Sequence, residues 1–169
     1  MSHPVPIQFQ PVDAEALANA TGRIALVVDE GGKLGQAGRK LDKLTRGALA
    51  RYLGSEAFAA LKSGDAADLG WPAGLAAEAL QVVKLDRKAD ANTARKAGGA
   101  IGRGLSKAGT LVVAEGSKMA AELSLGLALR AYGFSAHKTG EQPQPGPVTL
   151  MVTEPEKVAA EAAPMAALA

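Results

Sequence analysis

Glu115-Gly116-Ser117-Lys118-Met119-Ala120-Ala121-Glu122-Leu123-Ser124-Leu125-Gly126-Leu127-Ala128-Leu129-Arg130-Ala131-Tyr132-Gly133-Phe134 reads as one buried helix, and the architecture follows from where that helix must lie. The Ser117 hydroxyl is placed to accept from a free backbone N–H of the first turn. Gly133 suits the left-handed turn that ends a helix. Met119, Leu123, Leu125, Leu127, Leu129 and Tyr132 cover most of the circumference. Only Lys118, Glu122, Gly126 and Arg130, at four-residue steps, make a narrow polar or small stripe. A helix apolar nearly all round belongs in a core. The strand Thr110–Ala114 just before it supplies a sheet to lie on.

Working outward, Arg23–Val28 is the clearest strand, β-branched and continuous, as expected where both faces of a sheet are covered. Ala79–Leu85 and Val148–Val152 read as further strands, and Val5–Phe9 as a short edge strand around Pro6. Between them, Arg39–Leu53 predicts a helix with Leu41, Leu44, Ala48 and Tyr52 on one face. Ser55–Leu61 and Asp13–Ala20 add short helical turns. A helix capped by Asp90 or Asn92 runs to about Ser106, turning Ala94, Ala97, Ile101 and Leu105 inward. Gly98, Gly99, Gly102 and Gly104 weaken it by up to about 1 kcal/mol each, which close packing on a sheet would offset. Asp65–Gly74, with Trp71-Pro72, is a loop or short hairpin, and Gly140–Pro147 a loop. Alternating strands and helices predict an α/β fold with a mostly parallel sheet between two helical layers. Residues 1–153 form that domain; 154–169 are an Ala-rich helical tail or the start of a linker.

Composition narrows the chemistry. Apolar residues make up 47% of the 169 but aromatics only 4%, so the core is aliphatic and relies on close backbone contacts. The absence of Cys removes disulfides, thiolate zinc sites and a cysteine nucleophile together. A formal charge of +2 is too small to imply nucleic-acid binding by itself. The opening Met-Ser-His-Pro-Val-Pro lacks the pattern of a signal peptide. No apolar run approaches the roughly 20 residues that span a bilayer. A soluble cytoplasmic domain without membrane contact is expected.

Three features invite a functional reading. Gly31, Gly32 and Lys33 lie in a glycine-rich loop between a strand and a helix, where backbone amides can cradle an anion. The loop matches neither standard phosphate motif, and a simple turn is the plainer reading. Gly102-Arg103-Gly104 falls inside a helix, the wrong place for such a motif. Arg39, Lys40, Lys43, Arg46 and Arg51 give the second helix a basic side that could contact nucleic-acid phosphates, though a solvated face explains it as well. His3 and His137 have no partner at metal-ligand spacing, and no G-x-S-x-G supports a serine triad.

Gly126, Leu129, Tyr132, Phe134 and Lys138 are spaced as in the "G-x-x-L-x-x-Y-x-F-x-x-x-K" signature near the end of the N-terminal domain of leucyl (cytosol) aminopeptidases. The chain resembles that family from about Val5 to Val152. Arg95-Lys96-Ala97-Gly98-Gly99-Ala100-Ile101 is similar to its "R-x-x-G-G-x-I/A" segment. Around Asp65–Pro72 the usual "F-x-G-K-x-G-E" wording is missing, although Phe58 and Gly64 are present. The resemblance implies a three-layer, macro-domain-like fold and a non-catalytic accessory role. It places the peptidase chemistry in a C-terminal domain holding two divalent metals, zinc or manganese, under an "N-T-D-A-E-G-R" motif. The nearest string here, Asn92-Thr93-Ala94, lacks the acids. No catalytic or metal-binding residue and no cofactor are therefore expected in this chain. The implied partners are its own catalytic domain and neighbouring subunits of a homo-oligomer, hexameric in the family, with DNA bound by some members. The alternative is a free-standing macro-like module that binds a nucleotide such as ADP-ribose.

Overall fold

The computed structural model describes residues 6–136 and 146–166. Six strands form one sheet: β1 (Ile7–Pro11), β2 (Arg23–Val28), β3 (Ala66–Gly70), β4 (Ala79–Lys84), β5 (Thr110–Val113) and β6 (Val148–Val152). Their order is β1-β6-β5-β2-β4-β3. All neighbours are parallel except β3, which runs antiparallel to β4 along the edge. The helices are α1 (Ala14–Asn19), α2 (Gln36–Leu44), α3 (Ala48–Leu53), α4 (Glu56–Ala60), α5 (Ala91–Gly102), α6 (Ala120–Ala136) and α7 (Pro155–Ala166).

Side-chain alternation along the central strands divides the apolar residues between two layers. Ile24, Leu26, Val28, Leu80 and Val82 face Leu17, Leu41, Leu49 and Phe58 of α1–α4. Ala25, Val83, Val112, Val148 and Leu150 face Ala97, Ile101, Leu123 and Leu127 of α5 and α6, with Val158 of α7 beside them. This is the expected α/β/α sandwich around a mostly parallel mixed sheet. Pro11 is tolerated because β1 is an edge strand.

The glycines of α5 have the role their cost demanded. A Cβ on Gly98 would collide with the Leu123 carbonyl, and one on Gly126 with the Arg95 carbonyl. Backbone therefore meets backbone where α5 crosses α6. The polar-and-small stripe of α6 lies in that crossing: Gly126 is buried, and Glu122 accepts from Arg95 Nε at 2.7 Å.

Several boundaries differ from the sequence reading. The helix after β5 begins at Ala120, with Ser117 Oγ accepting from Met119 N–H at 3.3 Å in the turn before it, and it continues through Gly133 to Ala136. The helix expected over Arg39–Leu53 is two. Arg46 (φ 55°) and Gly47 (φ 84°) turn left-handed in succession, and the Asp42 carboxylate accepts from Ala50 N–H at 2.9 Å across the break. The Asp90 carboxylate caps α5 through Thr93 N–H at 2.8 Å, and the helix stops at Gly102 rather than Ser106. Gly102-Arg103-Gly104 thus ends a helix instead of sitting within one. The Asp65–Gly74 segment supplies β3, the outer arm of a hairpin with β4.

Candidate functional site

In an open parallel sheet, ligands bind beyond the carboxyl ends of the strands, where successive connections diverge to opposite sides. Here that point lies between β2 and β5, because the chain leaves β2 toward β4 and β5 toward β6. A cleft of about 450 Å³ opens there, lined by Val28, Asp29, Leu34, Gly35, Glu115 and Ser117 among others.

The glycine loop forms one wall, and its amides are engaged by the chain's own acids. Asp29 Oδ1 accepts from Gly31 N–H at 3.0 Å and Lys33 N–H at 3.2 Å, while the Asp29 carbonyl accepts from Gly32 N–H at 3.0 Å. A short polar side chain closing on amides two and four residues ahead is a local turn device. The next amides, at the start of α2, reach across the cleft. Gln36 N–H donates to Glu115 Oε1 at 3.2 Å and Ala37 N–H to Glu115 Oε2 at 3.1 Å. Gly35 precedes the helix without a side-chain cap, and a Cβ there would strike the Glu115 carboxylate. An anion favoured by the helix dipole is therefore present, and the protein supplies it.

On the other wall, the Arg87 guanidinium lies 3.4 Å from Glu30 Oε1 and 3.8 Å from Asp29 Oδ2. The backbone N–H groups of Glu30 itself and of Arg87 hold the Glu30 carboxyl below its usual range, with the Arg87 side chain adding to the effect. The cleft thus carries both signs of charge, and a phosphate entering beside α2 would have to displace Glu115.

The basic residues do not share one helix face. Arg39, Lys40 and Lys43 are on α2, Arg46 in the turn and Arg51 on α3. Lys40 Nζ lies 3.7 Å from Glu15 Oε1. Arg39 donates to the Leu34 carbonyl and Arg51 to that of Arg46, each at 3.3 Å. His3, His137 and Lys138 lie outside the described residues. Among the described residues, no three His, Asp or Glu side chains come together as metal ligands. No helix among them is long and apolar enough to cross a membrane.

Two roles were missed in the sequence. Glu115 read only as a residue ahead of the Ser117 cap, whereas it caps a helix 79 positions upstream along the chain. Lys84 read as part of a strand, yet it is buried, donating to the carbonyls of Phe58 at 3.2 Å and Leu61 at 3.0 Å over the Phe58 ring. It ends α4 as a cation at a helix C-terminus. A lone Lys among apolar neighbours at the end of a strand was the available signal.

Residues 25–141 match the family model described as "Cytosol aminopeptidase family, N-terminal domain". The chain belongs to this family. It is 63% identical, over its whole length, to a probable cytosol aminopeptidase of Cereibacter sphaeroides, of which it covers 35%. It is 42% identical over 96% of its length to one of Dinoroseobacter shibae, covering 33%. The chain thus spans about a third of these curated relatives. Among solved structures, a tomato leucine aminopeptidase superposes with TM-score 0.71 at 16% identity, over 98% of this chain and 36% of that one. A Trypanosoma brucei macrodomain in complex with ADP gives 0.63 at 10% identity, over 96% and 69%. At these identities the likeness is one of fold, and the fold is that of an aminopeptidase N-terminal domain with macrodomain architecture.

Proposed function

We propose that this cytosol aminopeptidase N-terminal domain is a non-catalytic accessory module. In this reading it belongs to a cytosolic, metal-dependent enzyme that releases N-terminal residues from peptides. The two divalent metals and the hydrolytic groups sit in the C-terminal two thirds, and the domain packs against that part and helps shape a homo-oligomer. The observation that carries the proposal is the match of the whole chain to about one third of its relatives' length. Glu115 supports it from the geometry, since the helix-start amides that would meet an anion in this cleft are already taken by a side chain that braces the scaffold. Joining the chain to the sequence encoded after Ala169 should give an enzyme that loses peptidase activity on chelation and regains it with zinc or manganese. A folded but inactive product would overturn the reading.

One observation favours a second reading, nucleotide binding: the cleft lies where such folds take their ligands. A ligand that binds only the folded state raises its melting midpoint. Under this reading ADP-ribose raises the midpoint of the chain, and the gain grows in Glu115→Ala, which frees the amides of Gln36 and Ala37. No shift in either protein would reject it.

A further inference from the structure

The segment Gly70–Ala77, Gly-Trp-Pro-Ala-Gly-Leu-Ala-Ala, has no charged residue, and the structure holds it as a fixed loop rather than a loose one. Trp71 N–H donates to the Glu78 carbonyl at 2.9 Å, and Glu78 N–H to the Gly22 carbonyl at 2.8 Å. Gly74 (φ 89°) presses on the end of α2 so closely that a Cβ would collide with the Leu44 carbonyl, and Ala77 is buried. On this anchored loop Trp71, the chain's only Trp, is 78% exposed and sits at φ 46°. A bulky side chain in the left-handed region is strained. Here the strain accompanies an indole turned into water, so nothing in the described fold repays it. A Trp presented from an anchored backbone has the properties of an interface anchor, because little backbone freedom is left to lose on binding.

The topology indicates what covers it. Gly70 pairs with Ala79, which pairs with Arg23 at the start of β2, so the loop lies at the amino-terminal end of the parallel strands, opposite the cleft. Helix α7 starts two residues beyond β6, at the carboxyl end, and packs on β1, β6 and α6. It therefore runs back along the sheet. Its twelve residues cover about 18 Å, about the length of a five-residue strand. The described chain thus leaves from the same end of the sheet that presents Trp71. Six strands separate the two edges by about 24 Å. The relatives' remaining two thirds make a body with a radius of gyration of about 20 Å, wide enough to reach from α7 to the β3 edge.

We infer that Trp71 and its loop are the docking surface for the C-terminal part of the same polypeptide. The inference rests on the accessory-domain reading. The test labels both the 169-residue chain and the full-length protein with 5-fluorotryptophan. The ¹⁹F resonance of Trp71 is the one that Trp71→Phe removes. In the 169-residue chain it should shift when H₂O is replaced by D₂O; in the full-length protein it should not. Trp71→Ser should leave the melting midpoint of the short chain unchanged. In the full-length protein it should speed proteolysis after Ala166 on the order of tenfold, as expected for loss of a hot-spot side chain. A full-length protein that hydrolyses peptides while Trp71 stays exposed overturns the docking surface and leaves the accessory role standing. Exposure that disappears only on oligomerisation also overturns it, in favour of contact between copies. A folded full-length protein without peptidase activity overturns the reading underneath.

Discussion

Glu115 shows how a single side chain can occupy the amides that a helix start presents to a cleft. Its carboxylate accepts from two amides at the start of α2, from the far side of the switch point. It thereby caps a helix whose own cap position holds only a glycine, and joins the crest of β5 to that of β2. Losing a helix cap costs about 1 kcal/mol. Glu115→Ala should therefore lower the melting midpoint by about 2–4 °C in a chain of this size. Glu115→Gln, which keeps one acceptor oxygen but no charge, should fall between the two. Circular dichroism melts of the three proteins decide this, and a Glu115→Ala midpoint equal to that of the natural chain would remove the capping role. None of this was legible in the sequence. The glycine loop was visible because it is local, and so was its suitability for an anion. The occupant was not, because a contact across 79 positions leaves no trace in spacing.

At the scale of elements, the crossing of α5 and α6 makes opposite forecasts for neighbouring glycines. Gly98 and Gly126 have no room for a Cβ, since each faces a backbone carbonyl of the other helix. Ala at either position must push the helices apart, and such overpacking costs typically 1–3 kcal/mol. Gly99, one residue along, has nothing nearer than the Arg130 Cβ at 4.0 Å, so Ala fits there. Gly99→Ala should stabilise by up to about 1 kcal/mol through helix propensity and a less free unfolded chain. Urea titrations of the three variants should show midpoints moving in these opposite directions. Loss of stability in Gly99→Ala would mean the crossing is tighter than described. This crossing was partly readable, because four glycines in a helix demanded compensation by close packing. The partner was not, and the packing was assigned to the sheet rather than to α6. The break between α2 and α3 escaped for a related reason. Leu41, Leu44, Ala48 and Tyr52 keep helical spacing through Arg46-Gly47, and periodicity does not register two left-handed residues when the pattern resumes in phase.

For the whole molecule, layer order and strand direction follow from the alternation of elements, which is why the sandwich was legible while the packing of its last helix was not. Residues 154–169, read as a tail or linker from their Ala-rich composition, include α7, whose Val158 and Ala162 join the apolar layer shared with α5 and α6. The same layer holds Ile7 and Phe9 of edge strand β1. Deleting everything after Thr153 would expose Val158's contacts and this side of β1 to water. Burial of one such side chain contributes about 1.5–3 kcal/mol. The truncated chain should therefore melt on the order of 10 °C lower, if the loss is about 3 kcal/mol in a chain of this length. It should also bind a hydrophobic dye that the 169-residue chain does not bind. Val158→Ala in the full chain separates the two contributions. If α7 acts through its packed face, this variant reproduces part of the loss, about 1.5–2 kcal/mol for two methyl groups. An unchanged midpoint in both proteins would put the boundary at residue 153 and leave α7 outside the cooperative unit.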